Sequence, residues 1–421
     1  MKIALLAGTH SGCGKTTVML SLLQYLSRQS LNPRAFKVGP DFLDPLWHAA
    51  LTGKASYNLD TQMIGIDESR RLLNRLAQND EYCLIEGVMG MFDGRAGVGK
   101  AGSSVDLASQ LAAPVMLVVD AKGMSGSIVP LVSGFCDFAR QCGANIGGVI
   151  ANRVGSEYHA QLLRDALAEY DLPPLIAWLS KDAPGLEERH LGLKIPDASA
   201  VPDFQGALHV DTTLLEAAFS VYKPVQVDTS VVVGLQDKTI AIAKDLACCF
   251  IYPANLDWLT EQGAKLAWFS PLAGESVPVA DALWLPGGYP ELHAQQLAES
   301  ASLPSIKAFI EAGKPVLAEC GGAMLLGHLL IDQQGNSWPM ANVLPFSSKM
   351  QNKLASLGYR QEASGMRGHE FHFSIRQTDE SLTPCFDCQV GDKGVQYKKL
   401  RASYIHWYFA SAPAVAIEWF R

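Results

Sequence analysis

Through the first half of the chain, short apolar runs rich in β-branched residues alternate with stretches whose apolar positions recur at helical spacing. The runs predict strands at Ile3–Ala7, Ala35–Val38, Tyr82–Glu86, Val115–Asp120 and Ile146–Ala151. The periodic stretches predict helices, among them Thr16–Ser27, Asp67–Ala77 and Tyr158–Glu169. Strands that are apolar on both faces and separated by helices imply a parallel sheet covered on both sides. From about Asp197 the pattern loosens around Pro196, Pro202 and Pro224, leaving one predicted helix, Thr213–Tyr222. Strand–helix alternation resumes with runs at Thr239–Ala243, Lys265–Phe269, Ala282–Leu285 and Val316–Glu319. The expected organisation is α/β throughout: a parallel-sheet domain over 1–196, a linker region over 197–237 and a second α/β domain over 238–421.

Composition narrows this picture. The 421 residues give each half enough chain for its own core, and 48% hydrophobic with 18% charged residues suits a folded globular protein. A formal net charge of -8 offers no footprint for nucleic acid or an anionic membrane. The apolar run at Ile3–Ala7 is too short for a signal-peptide core, and no later run approaches a membrane span. Nine scattered cysteines suggest a reduced, cytoplasmic protein, and Cys385 and Cys388 lack the second pair that a structural zinc site wants.

Two segments carry chemistry. Gly8-Thr9-His10-Ser11-Gly12-Cys13-Gly14-Lys15-Thr16-Thr17 joins the first strand to the first helix. Gly12 and Gly14 let backbone N–H groups turn toward phosphate oxygens, Lys15 reaches the terminal phosphates of ATP, and the Thr16 hydroxyl suits Mg²⁺, with Thr17 behind it. Thr9 stands where the strict motif has glycine, so the loop resembles the variant form of dethiobiotin-synthetase-like and ParA-like ATPases. His10 replaces the extra lysine of the ParA-like group. Acids at the carboxyl ends of neighbouring strands, Asp41 and Asp44 after the second and Glu86 and Asp93 after the third, face the crevice where such sheets bind ligands. Asp41 and Glu86 are the expected partners of Thr16 around Mg²⁺.

In the second half, the apolar run Val316–Glu319 enters Cys320-Gly321-Gly322 and then a helix, the nucleophile-elbow pattern with cysteine in place of serine. The following helix N-terminus is expected to lower the thiol pKa. His406, in Ser403-Tyr404-Ile405-His406-Trp407-Tyr408-Phe409, is the candidate base, and the backbone at Gly287 and Gly288 offers an oxyanion hole. These pieces resemble a class I glutamine amidotransferase. Such enzymes carry Glu two residues after the histidine; here that position is Tyr408, which leaves either a dyad or another acid orienting His406.

Further motifs extend the resemblance along the whole chain: FKVGPDFLDPLWH (36–48), EGVMGMFDG (86–94), ANRVGS (151–156), ERHLGL (188–193), LPGGYPELHA (285–294), AECGGAM (318–324) and RGHEFHFS (367–374). In colinear order they resemble the cobyrinic/hydrogenobyrinic acid a,c-diamide synthase family. The resemblance implies an N-terminal P-loop domain using ATP and Mg²⁺ to activate the a and c carboxylates of a corrin, here cobyrinic acid. It also implies a C-terminal domain taking ammonia from L-glutamine, with a closed passage for the ammonia; a homodimer is compatible with it. Asp41, Asp44, Glu86 and Asp93 would line the synthetase site, Phe42 and Leu43 would lie near the corrin, and Lys37, Arg95, Arg153 and Arg189 are candidate carboxylate clamps. His369 and His372, three apart, do not make a zinc helix motif and are assigned a structural or domain-contact role. The competing readings are a cobalt-free hydrogenobyrinic acid substrate, cobyric acid synthesis, a ParA-like ATPase switch with an inert second domain, and a corrinoid-binding module without turnover.

Overall fold

A computed structural model describes residues 1–76, 80, 82–94, 99–186, 188–189, 192–193, 195–196, 201–227 and 233–421, with backbone alone at 188–189 and 192–193. Arg95 and the side chain of Arg189 lie outside the described residues. The chain divides into two compact units, Met1–Asp228 and Thr229–Arg421.

In the first unit, β1 (Lys2–Gly8), α1 (Lys15–Arg28), β2 (Pro33–Val38), α2 (Leu43–Thr52), β3 (Tyr57–Leu59), α3 (Ile66–Leu76) and β4 (Tyr82–Gly90) follow one another. They continue into α4 (Ser104–Leu111), β5 (Val115–Asp120), α5 (Ile128–Gln141), β6 (Ile146–Val154), α6 (Glu157–Glu169) and β7 (Leu175–Ser180). The strands pair in parallel in the order β7-β6-β5-β1-β4-β2-β3. Because β1 pairs with both β4 and β5, the order reverses there, and the crevice at such a reversal is where open α/β sheets bind ligands. Leu20 and Leu23 of α1 and Trp47 of α2 pack on Leu84, Met116 and Val118 of the sheet, each burial contributing about 1.5–3 kcal/mol.

The strands predicted for this unit and the helices Thr16–Ser27, Asp67–Ala77 and Tyr158–Glu169 appear, within a few residues at their ends, whereas the helix predicted over Thr213–Tyr222 stops at Ala217. The segment expected as a linker behaves differently. Leu208–Val210 pairs antiparallel with β7, and Ser220–Val221 with the start of β1, with a helix over Thr212–Ala217 between them. Both strands are too short to carry a periodic signature, yet they satisfy backbone groups at the sheet edge and at the foot of β1.

The second unit is built on six strands ordered Lys265–Phe269, Thr239–Ala243, Ala282–Leu285, Val316–Glu319, Leu400–Ser403 and Val395–Tyr397. Only the last pair is antiparallel. The four apolar runs read from the sequence coincide with four of these strands. Two further sheets come from the stretch after residue 324. One of them joins Ser356–Gln361, Arg367–His372 and Ile405–Tyr408 in antiparallel register. Trp258, Trp284, Leu317, Trp407 and Phe409 share one core. Among the described residues, no helix is long and apolar enough to cross a membrane.

Candidate active sites

The first site lies at the carboxyl ends of β1, β2 and β4. The loop after β1 turns through Gly12 and Gly14 with φ of 83° and 91°, in the left-handed region that glycine tolerates. At Gly14 space also demands glycine, since a Cβ would sit 2.0 Å from Asn152 Nδ2, which donates to the Cys13 carbonyl at 2.9 Å. Lys15 opens α1, 8% exposed, with its pKa lowered by burial and by neighbouring Lys37. The Thr16 hydroxyl donates to Glu86 Oε1 at 2.7 Å. Gly12, Lys15, Thr16 and Thr17 line a cleft of about 350 Å³ with Asn152 and Arg153; its far wall is the 179–186 segment. Arg153 donates to the Gly12 carbonyl at 3.2 Å and pairs with Asp120, so it belongs to the phosphate-loop side, where the sequence suggested a corrin clamp.

Behind the loop is a buried polar cluster. Glu86 is fully buried, and its second oxygen meets His48 Nε2 at 2.7 Å, while His48 Nδ1 meets Ser56 Oγ at 3.0 Å. Lys37 pairs with Asp44, donates to the Gly87 carbonyl at 3.0 Å, and lies 3.4 Å from Glu86 and 3.9 Å from Asp41. Burial opposes ionisation of Glu86, but the Lys37 charge and the hydrogen bonds from His48 and Thr16 outweigh it and hold the carboxyl down at about 2. Asp44 is pushed well above the usual carboxylate range by burial and by the charges of Asp41 and Glu86. For Lys37, burial is overcome by the three carboxylates, which keep it protonated. A lysine so engaged is the counter-ion of the acidic cluster and is not available as a clamp on substrate carboxylates. Asp44 is likewise buried against it rather than open to a ligand.

Asp41 Oδ1 accepts from Leu43 N at 2.9 Å and Asp44 N at 3.1 Å, fastening the head of α2, where Phe42 and Leu43 are half-buried. Exposed Asp93 accepts from Gly90 N at 2.8 Å and so closes a turn after β4. Among the described residues, no three His, Cys, Asp or Glu side chains are arranged to hold a metal by themselves. The donors fit Mg²⁺ all the same, because that ion usually takes one or two protein oxygens and completes its shell with water and nucleotide phosphate. The convergence of Thr16 Oγ1 and Glu86 Oε1 beside Lys15 supplies such a pair.

The second site is assembled from three sheet strands of the second unit and a short loop. Cys320 sits between Val316–Glu319 and a helix of four residues, with φ 46° and ψ −111°, a strained conformation for a residue with a side chain. Its N–H donates to the Ser403 carbonyl at 2.7 Å. His406 lies in Ile405–Tyr408 and is buried. Gly287 separates the two: a Cβ there would stand 2.3 Å from His406 Cε1 and 3.2 Å from Cys320 Cβ. Gly288 presses on the Ala247 backbone, 2.2 Å from where a Cβ would be.

Burial pushes the Cys320 thiol far above its usual range, with nearby Glu291 adding to the effect. Burial, followed by the proximity of His369 and His372, lowers His406. The expected thiolate-favouring helix effect is therefore overturned at rest. The helix is too short to gather much dipole, and a buried thiolate costs more than it returns. The pair rests as neutral thiol and neutral imidazole, and the proton has to move during attack.

His369 makes its contacts beside the base. It pairs in register with His406 across two strands, the two rings stack 5.0 Å apart at 16°, and its Nδ1 meets the Tyr252 hydroxyl at 2.8 Å. Tyr408, where an acid stands in most class I enzymes, packs edge-on against Tyr252 at 6.0 Å. His372 is held between Glu370 at 2.8 Å and the Ser374 carbonyl at 2.7 Å.

A CobQ/CobB/MinD/ParA nucleotide-binding domain matches residues 4–202, and a CobB/CobQ-like glutamine amidotransferase domain matches 239–414. A cobyrinate a,c-diamide synthase of Herminiimonas arsenicoxydans is 40% identical, over 100% of this chain and 96% of its own length. The chain belongs to the cobyrinate/hydrogenobyrinate a,c-diamide synthase family. A cobyrinate a,c-diamide synthase of Salmonella typhimurium is 38% identical over 99% of this chain and 96% of its own length. A hydrogenobyrinate a,c-diamide synthase of Stutzerimonas stutzeri is 38% identical over 98% and 96%. Family membership settles the fold class, a P-loop nucleotide-binding domain followed by a glutamine amidotransferase domain.

Three residues found here have no site role on sequence grounds alone. His48 carried a legible signal, because it follows Asp44 by four residues and so shares its helix face. His369 needed the antiparallel register to bring it to His406. Glu319 was read only as part of the strand before the nucleophile.

Proposed function

We propose that the chain amidates the a and c acetate carboxylates of cobyrinic acid, using ATP and glutamine-derived ammonia, in cobalamin biosynthesis. One observation carries this reading: full-length relatives of that activity align with a chain that holds both a Lys15–Thr16–Glu86 phosphate site and a Cys320–Gly287–His406 site.

In the first unit, a substrate carboxylate oxygen attacks the γ-phosphorus of ATP, ADP leaves, and an acyl phosphate forms. Hydroxide is a poor leaving group, and phosphate is a good one. Lys15 and the loop N–H groups bind the phosphates and offset their charge. Thr16, Glu86 and Asp41 are the residues that would hold Mg²⁺, which when bound supplies positive charge against the phosphoryl oxygens. Lys37 and His48 fix Glu86 in place. Phe42, Leu43 and Asp93 border the substrate carboxylate in this reading, while Asp44 anchors Lys37. Ammonia attacks the acyl carbon, phosphate departs, and the nitrogen loses one proton to give the amide.

In the second unit, Cys320 Sγ attacks the side-chain amide carbon of glutamine as His406 takes the thiol proton. The Gly287 and Gly288 N–H groups receive the developing oxyanion, and His406 returns the proton to departing ammonia. Water then hydrolyses the thioester to glutamate.

Incubation with ATP, Mg²⁺, glutamine and cobyrinic acid, read by product mass, tests the whole reading. A diamide together with ADP and glutamate is expected; ATP hydrolysis stimulated by a partner protein, without glutamine consumption, would favour the ATPase switch. Hydrogenobyrinic acid is the second reading, since relatives of both names align at 38% identity. Parallel assays with cobalt-containing and cobalt-free macrocycles separate the two.

A further inference from the structure

Glu319 precedes the nucleophile and is 1% exposed. Its two carboxylate oxygens have separate partners. Oε1 accepts the Trp407 peptide N–H at 2.8 Å, and Oε2 accepts the Trp284 indole N–H at 3.0 Å. Trp407 is the residue after His406. Trp284 lies in Ala282–Leu285, the strand that delivers Gly287 three positions later. One buried side chain is thus hydrogen-bonded to the elements carrying the base and the oxyanion loop, and is itself covalently next to the nucleophile.

We propose that Glu319 is a positioning residue for glutamine hydrolysis, holding Cys320, His406 and Gly287 in register for attack.

This rests on the glutaminase reading of Cys320. Three physical points support it. The strained backbone at Cys320 persists only where its surroundings over-determine it, and Glu319 and the Cys320 N–H···Ser403 bond flank that strain. A buried carboxylate is expensive: burial pushes this one up to about 8, against the lowering effect of the hydrogen bonds from the Trp407 peptide N–H and the Trp284 indole N–H. An apolar residue would serve the core at lower cost, as Leu317 does two positions earlier. Finally, the missing acid after His406 removes the usual orienting group from this site, while the Glu319–Trp407 bond fixes the backbone from which His406 projects.

The experiment compares wild type, Glu319→Gln and Glu319→Ala in glutamine-driven and ammonium-driven amidation, with kcat and KM for glutamine measured separately. Glutamine keeps an acceptor for the Trp407 N–H, but its amide group cannot satisfy both donors. The expected result is a kcat loss of about 100-fold for Glu319→Ala, as for an ångström-scale misplacement of reacting groups, and about tenfold for Glu319→Gln. KM for glutamine and the ammonium-driven rate should stay near wild type, a split that general unfolding would not produce. Should Glu319→Ala lose the ammonium-driven rate as well, Glu319→Gln decides alone: a lowered kcat with intact ammonium-driven rate supports the proposal, and an unchanged kcat overturns it. Wild-type kcat in both variants also overturns it. If wild type itself uses no glutamine, the glutaminase reading fails instead.

Discussion

Gly287→Ala adds a single methyl group between the nucleophile and its base. Gly287 is not in the left-handed region, so alanine suits its backbone, and the perturbation is the Cβ alone. That atom would stand 2.3 Å from His406 Cε1 and 3.2 Å from Cys320 Cβ. Non-bonded carbons settle at about 3.5–4.0 Å, so the imidazole has to retreat by more than about 1 Å. His406 stacks on His369 at 5.0 Å and has little room to do so without shifting its strand. A displacement of that size costs about 100-fold in rate, or about 3 kcal/mol of transition-state stabilisation. Overpacking adds about 1–3 kcal/mol of destabilisation, which a melting curve reads separately. The assay is initial-rate amidation with glutamine and, in the same preparation, with ammonium salt. Loss of the first with retention of the second is expected. Glutamine-driven turnover at the wild-type rate would refute the contact geometry from which the prediction is drawn.

The buried cluster behind the phosphate loop makes two further predictions. Lys37→Met removes the cation shared by Asp44 and Glu86, and a buried ion pair broken on one side costs about 3–5 kcal/mol, visible as a lowered denaturation midpoint. Glu86, held down at about 2 from an ordinary 4.5, contributes stability that is complete above the ordinary value and is lost as pH falls through about 2. Without nucleotide or Mg²⁺, wild type should therefore lose about 3 kcal/mol over that window that Glu86→Gln does not lose. Asp44, pushed upward by burial and by the charges of Asp41 and Glu86, acts in the opposite sense, and Glu86→Gln relieves only the part due to Glu86; parallel acid-unfolding curves for the two proteins would contradict the assignment.

The parallel framework was legible because strands buried on both faces read as unbroken apolar runs. Val115–Asp120 and Ala282–Leu285 match their predicted bounds for that reason. The phosphate loop and the cysteine elbow were legible because residue choice is restricted there, by left-handed backbone at Gly12 and Gly14 and by lack of room for a Cβ at Gly321 and Gly322. The antiparallel additions were not. Arg367–His372 mixes His, Glu and Phe on both faces, with Phe371 exposed and His369, Glu370 and His372 buried, so neither face shows an apolar pattern. That strand nevertheless brings His369 to His406. Of the four acids that residue type singled out, the structure gathers Asp41, Asp44 and Glu86 around Lys37. Their division of labour depended on Lys37, whose buried amine could be told from a surface clamp only by its neighbours in space.

The central claim is that one chain divides its labour between an ATP-dependent ligase site and a glutaminase site. Crossing two variants with two nitrogen sources tests this most directly, with corrin diamide formation as the readout. Cys320→Ser should lose amidation driven by glutamine and keep amidation driven by high ammonium, while Lys15→Ala should lose both. A Cys320→Ser protein that still formed diamide from glutamine, or a Lys15→Ala protein that formed it from ammonium, would contradict the account.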